Sequence, residues 1–233
     1  MKPPIYEPAG KAKEYGDLAI NIYTGCTHGC YYCFAPNVLH KTKEAFLTNV
    51  MPRTGIVEEV RKQIEKEKIT DKLIHLCFTC DPLPMGVDTS ATRDIIKLLK
   101  DSGNHVQILT KSDCVRDFDL LDENDWFGVS LTGATQEQEP NAASHRDRLI
   151  ALAIAKDNGI KTWVSFEPVV NAEYVYDCLH ENHRLFDLVK IGKLNYHSSD
   201  IDWQDFGCRV ESDCKALHIN YYIKDSLRKE MEA

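Results

Sequence analysis

The chain has 233 residues, of which 43% are hydrophobic and 27% are charged. This is the composition of an ordinary globular protein, so it excludes a fibrous or intrinsically disordered chain. Acidic residues outnumber basic ones by 36 to 28, which gives a formal net charge of −8, and the densest basic stretch, 61–72, is interleaved with acidic residues. We therefore do not expect charge-driven binding to a nucleic acid backbone.

Apolar, β-rich stretches recur along the chain, and amphipathic helical patterns separate most of them. Strands are predicted, in chain order, over residues 18–23, 73–79, 105–110, 126–131, 160–166, 185–191 and 218–223. Helices are predicted from Thr54, from Ser90 to just before Gly103, over 143–158 and over 172–183. This alternation predicts βαβ units around a parallel sheet.

The number of these units indicates a barrel. The pattern supplies six or seven of them, and a full set of eight usually needs about 250 residues. The sequence therefore predicts an α/β fold, a partial (β/α)6-type TIM-like barrel. Because no Pro/Gly/Ser-rich linker and no low-complexity segment interrupts the chain, we expect residues 1–233 to form a single domain.

The chain contains nine cysteines, a high and odd number. Residues 1–16 include three lysines but no apolar run, so no signal peptide is predicted, and no apolar run is long enough to span a membrane. We therefore expect a cytoplasmic protein with no membrane partner. In reducing cytosol, clustered cysteines indicate metal binding or catalysis more often than disulfides.

Three of the cysteines form the motif Cys26-x3-Cys30-x2-Cys33, in the loop after the first predicted strand. In a β/α barrel such a loop lies on the catalytic face. Three thiolates can bind three irons of a 4Fe–4S cluster and leave the fourth iron open. An open iron can chelate the amino and carboxylate groups of S-adenosylmethionine (SAM). The alternative is a zinc site completed by His28, which explains the thiols but neither Tyr32 nor the strand before the loop.

With the aromatic Tyr32 before its third cysteine, this motif resembles that of the radical SAM superfamily. Over nearly its whole length the chain is most similar to the spore photoproduct lyase-like branch. The stretches that carry the likeness are 21–33, 79–84, 110–112, 116–117, 129–131, 139–140 and 148–149.

The resemblance implies roles for individual residues. The three motif cysteines would bind the cluster, Tyr32 would contact the adenine of SAM, Lys111 its carboxylate and Ser130 its ribose. Lys111 follows an apolar strand, so its amine is expected at the catalytic rim as a partner for an anion. The alternatives are a solvated lysine at position 111 and a strand-end cap at Ser130.

Asp81 and Glu167 each end a hydrophobic strand and precede a proline, which favours an extended strand end at the same rim. Either carboxylate could bind the SAM amine or donor groups of the substrate, and a helix-capping role is the alternative. The candidate catalytic residues are Asp81, Glu167 and Cys80, with Asp81 also a candidate for SAM binding. The candidate substrate-binding residues are Phe34, Glu167, Lys193 and Asn195.

Among the remaining cysteines, Cys114, Cys208 and Cys214 show no second ligand-like spacing, whereas Cys77 and Cys80 are spaced like a metal-binding pair. Cys77 and Cys80 lie three residues apart on one predicted strand, so they are expected on opposite faces unless the chain bends after Phe78. Cys178 shares a helical stripe with apolar residues, which predicts core packing.

The resemblance also implies an activity. A one-electron reductase, such as flavodoxin or ferredoxin, would reduce the cluster, which cleaves SAM to a 5′-deoxyadenosyl radical that removes hydrogen from the substrate. Photoproduct lyases have a tyrosine after the third cysteine and a hydrogen-donor cysteine after the second strand. This chain has Phe34 and Phe78 at those positions.

These differences and the acidic charge favour a small, soluble substrate over nucleic acid. Among small-molecule relatives we suspect a queuine lyase, which would cleave a C–N bond and release a 7-deazaguanine base. Two alternatives stay open. One is repair or modification of a nucleic acid lesion, and the other is a non-catalytic iron–sulfur or zinc protein.

Overall fold

The structure, a computed structural model, describes residues 3–232. In this part of the chain eight strands form one sheet in chain order, β1 to β8. The first pair is antiparallel and every later neighbour is parallel. The strands are β1 (Ile5–Tyr6), β2 (Leu18–Ile20), β3 (Leu73–Leu76), β4 (His105–Thr110), β5 (Trp126–Ser130), β6 (Lys161–Val169), β7 (Leu188–Lys193) and β8 (Tyr221–Ile223).

Helices connect most consecutive parallel strands, whereas only a 3₁₀ helix lies between β4 and β5, and the last helix follows the last strand. The helices are α1 (Ala35–Val38), α2 (Lys43–Thr48), α3 (Ile56–Glu67), α4 (Ser90–Asp101), α5 (His145–Asp157), α6 (Ala172–Asn182), α7 (Trp203–Ala216) and α8 (Asp225–Met231). Short 3₁₀ helices lie at Gly10–Glu14, Arg116–Leu120 and His183–Leu185. Within residues 3–232, no helix has both the length and the apolar character that crossing a membrane requires.

The bounds of α5 follow from its local sequence. Before its first turn, the Ser144 hydroxyl accepts a hydrogen bond from the Asp147 amide at 3.1 Å, a cap that typically contributes about 1 kcal/mol. After its last turn, Gly159 adopts a positive φ of 78°, which ends the helix. Between these ends α5 buries Arg148, Ala151, Leu152 and Ala155. The cap therefore fixes the helix that carries Arg148 inward.

The sheet is curled, so that side chains from distant strands share one interior. The rings of His75 on β3 and Trp163 on β6 have centroids 6.2 Å apart. Tyr15, from the segment before β2, contacts both rings, at 5.6 and 5.9 Å. A Cβ at Gly128 would lie 2.2 Å from Nε1 of Trp163, so only glycine on β5 lets that indole cross the interior.

The predicted fold class, a partial (β/α)6-type barrel, is confirmed, and strand 105–110 is matched to the residue. Strand 18–23 ends early, at Ile20, and strand 73–79 ends at Leu76. The Asn21 side chain replaces strand pairing beyond both ends. Its Oδ1 accepts hydrogen bonds from the amides of Phe78 and Thr79, each at 2.8 Å. Strand β1 and helices α1, α2, α7 and α8 were not predicted.

Candidate active site

The three motif thiols line one cavity at the carboxyl end of β2. The Cys26 amide donates to the Phe46 carbonyl at 3.2 Å, which attaches the thiol loop to α2. Gly25 makes this approach possible, because a Cβ there would lie 2.0 Å from the same carbonyl oxygen. The cavity is lined by Cys26, His28, Gly29, Cys30, Cys33, Pro36, Lys43, Phe46 and Leu47.

Burial dominates the electrostatics of these thiols. It raises the pKa of Cys26 well above the usual value, with Asp81 adding to the effect, and it raises the pKa of Cys33. Burial also raises the pKa of Cys30 to about 11, although Lys111 opposes it. At neutral pH the thiols are therefore protonated in the free protein, and a bound metal group has to displace their protons.

The distances between the donor atoms can be compared with those that a single zinc ion requires. With Zn–S bonds of about 2.3 Å, tetrahedral geometry places the donors about 3.8 Å apart. Among the described residues, no three of Cys26, His28, Cys30 and Cys33 have ligand atoms all within 4.8 Å of one another. In this structure the motif residues therefore do not form the compact set of donors that a single tetrahedral ion requires.

His28 is not available as a further ligand, because both its ring nitrogens contact the protein. Nδ1 lies 3.4 Å from Oδ2 of Asp81, and Nε2 accepts a hydrogen bond from the Met85 amide at 3.4 Å. Burial lowers the pKa of His28 and Asp81 opposes the shift. His28 therefore stabilises the thiol loop through its contacts with Asp81 and Met85.

Asp81, predicted as a catalytic and SAM-binding candidate, has both oxygens engaged. Oδ1 accepts from the Leu83 amide at 2.8 Å and from the Thr110 hydroxyl at 2.6 Å. Oδ2 accepts from the Lys111 amide at 2.9 Å and faces His28. This buried carboxylate ties the thiol loop to the end of β4, so its contacts favour a positioning role.

Lys111 presents a charged amine beside the thiols. Its Nζ lies 5.6 Å from the centroid of the Tyr32 ring and donates no hydrogen bond within residues 3–232. Burial lowers the pKa of Lys111, but the neighbouring Cys30 and Glu139 raise it, and the result lies above the ordinary lysine value. A partly buried, charged ammonium next to the cavity can bind an anionic group.

A buried network that the sequence interpretation did not include connects Tyr32 and Ser130. The Tyr32 hydroxyl donates to Glu139, whose other oxygen accepts from Arg148 at 2.5 Å. Arg148 also donates to the carbonyls of Ser130, at 2.7 Å, and Ala143, at 2.8 Å. Glu139 and Arg148 lie in stretches that carried the family likeness, 139–140 and 148–149, and this likeness was the sequence feature that could have identified them.

Glu167 lies near the carboxyl end of β6, on the inner side of the sheet. Its Oε2 accepts from the Tyr15 hydroxyl and, at 2.7 Å, from Nζ of the buried Lys224. Within residues 3–232 its Oε1 accepts no hydrogen bond, and the side chain is 16% exposed. Unlike Asp81, Glu167 keeps one oxygen available.

The other predicted residues lie elsewhere. Lys193 pairs with Glu230, and Asn195 accepts from Lys11 at 2.7 Å. Lys193 lines a second cavity that shares no lining residue with the first. Phe34 is 48% exposed at the start of α1, which does not favour contact with an enclosed substrate.

Cys77 and Cys80 are not on opposite faces of a strand, because β3 ends at Leu76 and the chain bends over 78–80. Burial raises the pKa of Cys77 well above the usual thiol value, and a contact with the Cys80 side chain adds to the effect. Cys80 in turn accepts a hydrogen bond from the Tyr23 amide at 3.4 Å. The strand is shorter than predicted, and the chain takes the bend that was named as the exception to the opposite-face expectation.

Within residues 3–232 a different group of side chains does have its donor atoms within 4.8 Å of one another. His105, Asp122 and Asp125 lie at the amino ends of β4 and β5, opposite the thiol cavity. The amine of Lys100 donates to Asp122 at 2.7 Å and to Asp125 at 2.5 Å. The Lys100 ammonium therefore already provides the positive charge that a metal ion would bring to these carboxylates.

The family profile of the radical SAM superfamily matches residues 20–181, and the chain belongs to this superfamily. Members use SAM together with an iron–sulfur cluster. The chain is 29% identical over 220 residues to uncharacterized protein ORF301 of Acidianus two-tailed virus, covering 82% of this chain and 72% of the viral protein. It is 29% identical over 168 residues to uncharacterized protein MJ0683 of Methanocaldococcus jannaschii, covering 67% of this chain and 63% of the archaeal one.

The fold is similar to that of solved radical SAM proteins. A mutant spore photoproduct lyase superposes with a TM-score of 0.72 at 13% identity, covering 93% of this chain and 78% of the lyase. The lyase complexed with dinucleoside spore photoproduct gives 0.70 at 14% identity, with the same coverage of 93% and 78%. Streptococcus suis SuiB bound to S-adenosylmethionine gives 0.61 at 14% identity, covering 91% of this chain and 52% of SuiB. At these identities the likeness concerns the fold alone.

Proposed function

We propose that the protein is a radical SAM enzyme, a single domain over residues 1–233, in which Cys26, Cys30 and Cys33 hold a 4Fe–4S cluster. The observation that carries the proposal is that Cys26, Cys30 and Cys33 all line one cavity at the carboxyl end of β2. The engagement of both His28 nitrogens supports it, because the imidazole within the motif is then not available to complete a zinc site. With three protein ligands, one iron remains for SAM.

When bound, the cluster and SAM supply one-electron cleavage of SAM and hence hydrogen abstraction from an unactivated C–H bond. The chain's own residues bind SAM and orient it. The Lys111 ammonium binds the SAM carboxylate, the Tyr32 ring contacts the adenine, and Ser130, at the end of β5, contacts the ribose. The surrounding barrel holds the substrate carbon in place and keeps water away.

We propose a small, planar substrate with N–H donors. The available oxygen of Glu167 can accept such a donor, since Tyr15 and Lys224 hold its other oxygen. Beside it, the partly exposed Phe78 ring has its centroid 5.9 Å from that of Tyr15 and is stacked on His75 at 4.4 Å. A carboxylate next to an aromatic face suits a 7-deazaguanine base, so queuine, cleaved at its C–N bond, is the specific substrate that we propose.

The test is anaerobic reconstitution followed by turnover with SAM, dithionite and either queuine, guanine or an irradiated oligonucleotide. We expect about four irons and four sulfides per chain, and 5′-deoxyadenosine that rises above background with queuine. Cys30→Ala should abolish it, whereas Cys208→Ala, at an exposed cysteine, should not. Undiminished 5′-deoxyadenosine from Cys30→Ala contradicts the cluster assignment, and no response to queuine removes that substrate.

A second candidate is a reaction on a nucleic acid lesion, favoured by the fold likeness to spore photoproduct lyase. It predicts that the irradiated oligonucleotide, and not queuine, stimulates 5′-deoxyadenosine formation. A non-catalytic iron–sulfur or zinc protein predicts bound metal without SAM cleavage in any arm.

A further inference from the structure

The segment directly after the thiols carries exposed apolar side chains, and we call residues 34–53 the cluster-loop face. In the described part of the chain seven large hydrophobic side chains are exposed, and three of them lie here. They are Phe34, Val38 and Met51, at 48%, 57% and 56% exposure. Phe34 and Val38 are four residues apart across α1, so they share one side of that helix.

The cluster-loop face is positively charged on an acidic protein. It contains Lys41, Lys43 and Arg53 against a single acid, Glu44, while the whole chain carries −8. The three cations donate to main-chain carbonyls around the thiol loop: Lys41 to Thr24 at 2.6 Å, Lys43 to Tyr31 at 3.3 Å and Arg53 to Asn21 at 3.1 Å. Within residues 3–232 none of the three forms an ion pair with a carboxylate, so their charges are uncompensated.

This face also lies next to the thiols. Lys43, Phe46 and Leu47 line the thiol cavity, and the Phe46 carbonyl accepts a hydrogen bond from the Cys26 amide. Phe34 follows Cys33 directly. A protein seated on residues 34–53 would therefore be separated from the cavity by little more than one layer of side chains.

We propose that the cluster-loop face is the docking site for a small, acidic one-electron carrier protein of the flavin or iron–sulfur type. The inference rests on the proposed function, because only a protein that holds a redox cluster needs such a donor. One electron leaves the reduced carrier, which is oxidised by one electron, and the iron–sulfur group in the thiol cavity is reduced by one. A segment that combines exposed apolar side chains with cations free of ion pairs in the described chain matches an acidic partner, and redox encounters typically bury small interfaces.

The test measures binding of a purified acidic flavodoxin to the reconstituted protein by calorimetry, at about 50 mM and about 300 mM NaCl. We expect weaker binding at high salt, and about tenfold weaker binding for the double variant Lys41→Glu/Lys43→Glu. The control Lys66→Glu/Lys97→Glu makes the same charge change at exposed lysines of α3 and α4 and should shift Kd by less than about twofold. Iron content, measured on each variant, shows whether the thiol loop is intact.

A second pair of variants avoids the cations. Val38→Asp places a negative charge on the cluster-loop face and should weaken flavodoxin binding. Ile154→Asp, at an exposed apolar position of α5, should leave it unchanged. SAM cleavage driven by dithionite should be unchanged in Val38→Asp, because dithionite needs no docking site. Loss of turnover with flavodoxin but not with dithionite supports the proposal.

Three outcomes overturn the docking site. They are equal weakening by the test and control variants, flavodoxin binding insensitive to both salt and Val38→Asp, and tighter binding of an oligonucleotide than of flavodoxin to this face. Failure of the proposed function looks different, because iron would then be absent or dithionite would give no 5′-deoxyadenosine.

Discussion

Glu139 and Arg148 form a buried ion pair, with 2.5 Å between Oε2 and Nη2 and side-chain exposures of 3% and 2%. Glu139 holds the Tyr32 hydroxyl, and Arg148 holds the Ser130 carbonyl. The residues proposed to contact the adenine and the ribose of SAM are therefore anchored to the same pair. The pair itself is sealed from solvent, so we assign it a positioning role.

Glu139→Gln should strongly destabilise the protein, because it leaves the Arg148 charge buried without a countercharge. We expect a loss of about 3 kcal/mol in the free energy of unfolding, measured by urea denaturation. Glu173→Gln is the matched control, since Glu173 is 73% exposed and pairs with Arg209 at 3.6 Å, and it should cost less than about 1 kcal/mol. Equal losses in both variants would refute the assignment.

The same pair should make stability depend on pH. Burial alone raises the pKa of Glu139, but Lys111, Arg148 and the Tyr32 hydrogen bond lower it to about 2, from 4.5. A group whose pKa is depressed by folding stabilises the protein above its unfolded pKa, and this stabilisation is lost as pH falls through the folded value. Between about pH 5 and pH 2 the wild type should therefore lose more stability than Glu139→Gln. Parallel unfolding curves across that range would contradict this.

The order of strands and helices could be predicted from the sequence because the pattern is local. Helix α7 was missed because its buried Phe206, Val210 and Cys214 recur every four residues on a thin stripe among polar residues. Asp81 and Glu167 have the same pattern, a carboxylate between an apolar strand and a proline. Only the tertiary structure distinguishes them, because hydrogen-bond donors from other segments occupy Asp81 and leave one oxygen of Glu167 available.

Lys111→Met should weaken SAM binding, and it should also cost some stability, because the Lys111 charge helps to lower the pKa of the buried Glu139. The Lys111 amine donates no hydrogen bond in the described chain, so its removal breaks no protein contact of that kind. Loss of a charged contact to the SAM carboxylate should raise Kd by about tenfold or more, measured by calorimetry. Methylthioadenosine, which lacks the carboxylate, should bind both proteins equally. An equal loss for both ligands would instead indicate damage to the adenosine site.

Asp81→Asn and Glu167→Gln should fail in different ways. Asn at 81 turns an amide donor toward other donors, the Thr110 hydroxyl and the Lys111 amide, so thermal stability and retained iron should both fall. Gln at 167 should keep the iron and the substrate-free background of SAM cleavage, and lose the stimulation by substrate. If Asp81→Asn kept its iron and lost only that stimulation, Asp81 would be the substrate contact.

Gly25→Ala should release iron without disturbing the barrel. Its Cβ would lie 2.0 Å from the Phe46 carbonyl oxygen, an overlap that only a backbone shift can relieve. That shift breaks the 3.2 Å bond from the Cys26 amide and moves one thiol away from the other two. Gly16→Ala is the control, because its Cβ would meet neighbours no closer than 3.6 Å. We expect the reconstituted Gly25→Ala protein to have the far-ultraviolet circular dichroism of the wild type but to lose most of its iron and its visible absorbance. Full iron content would show that the loop binds its metal group without the contact to α2.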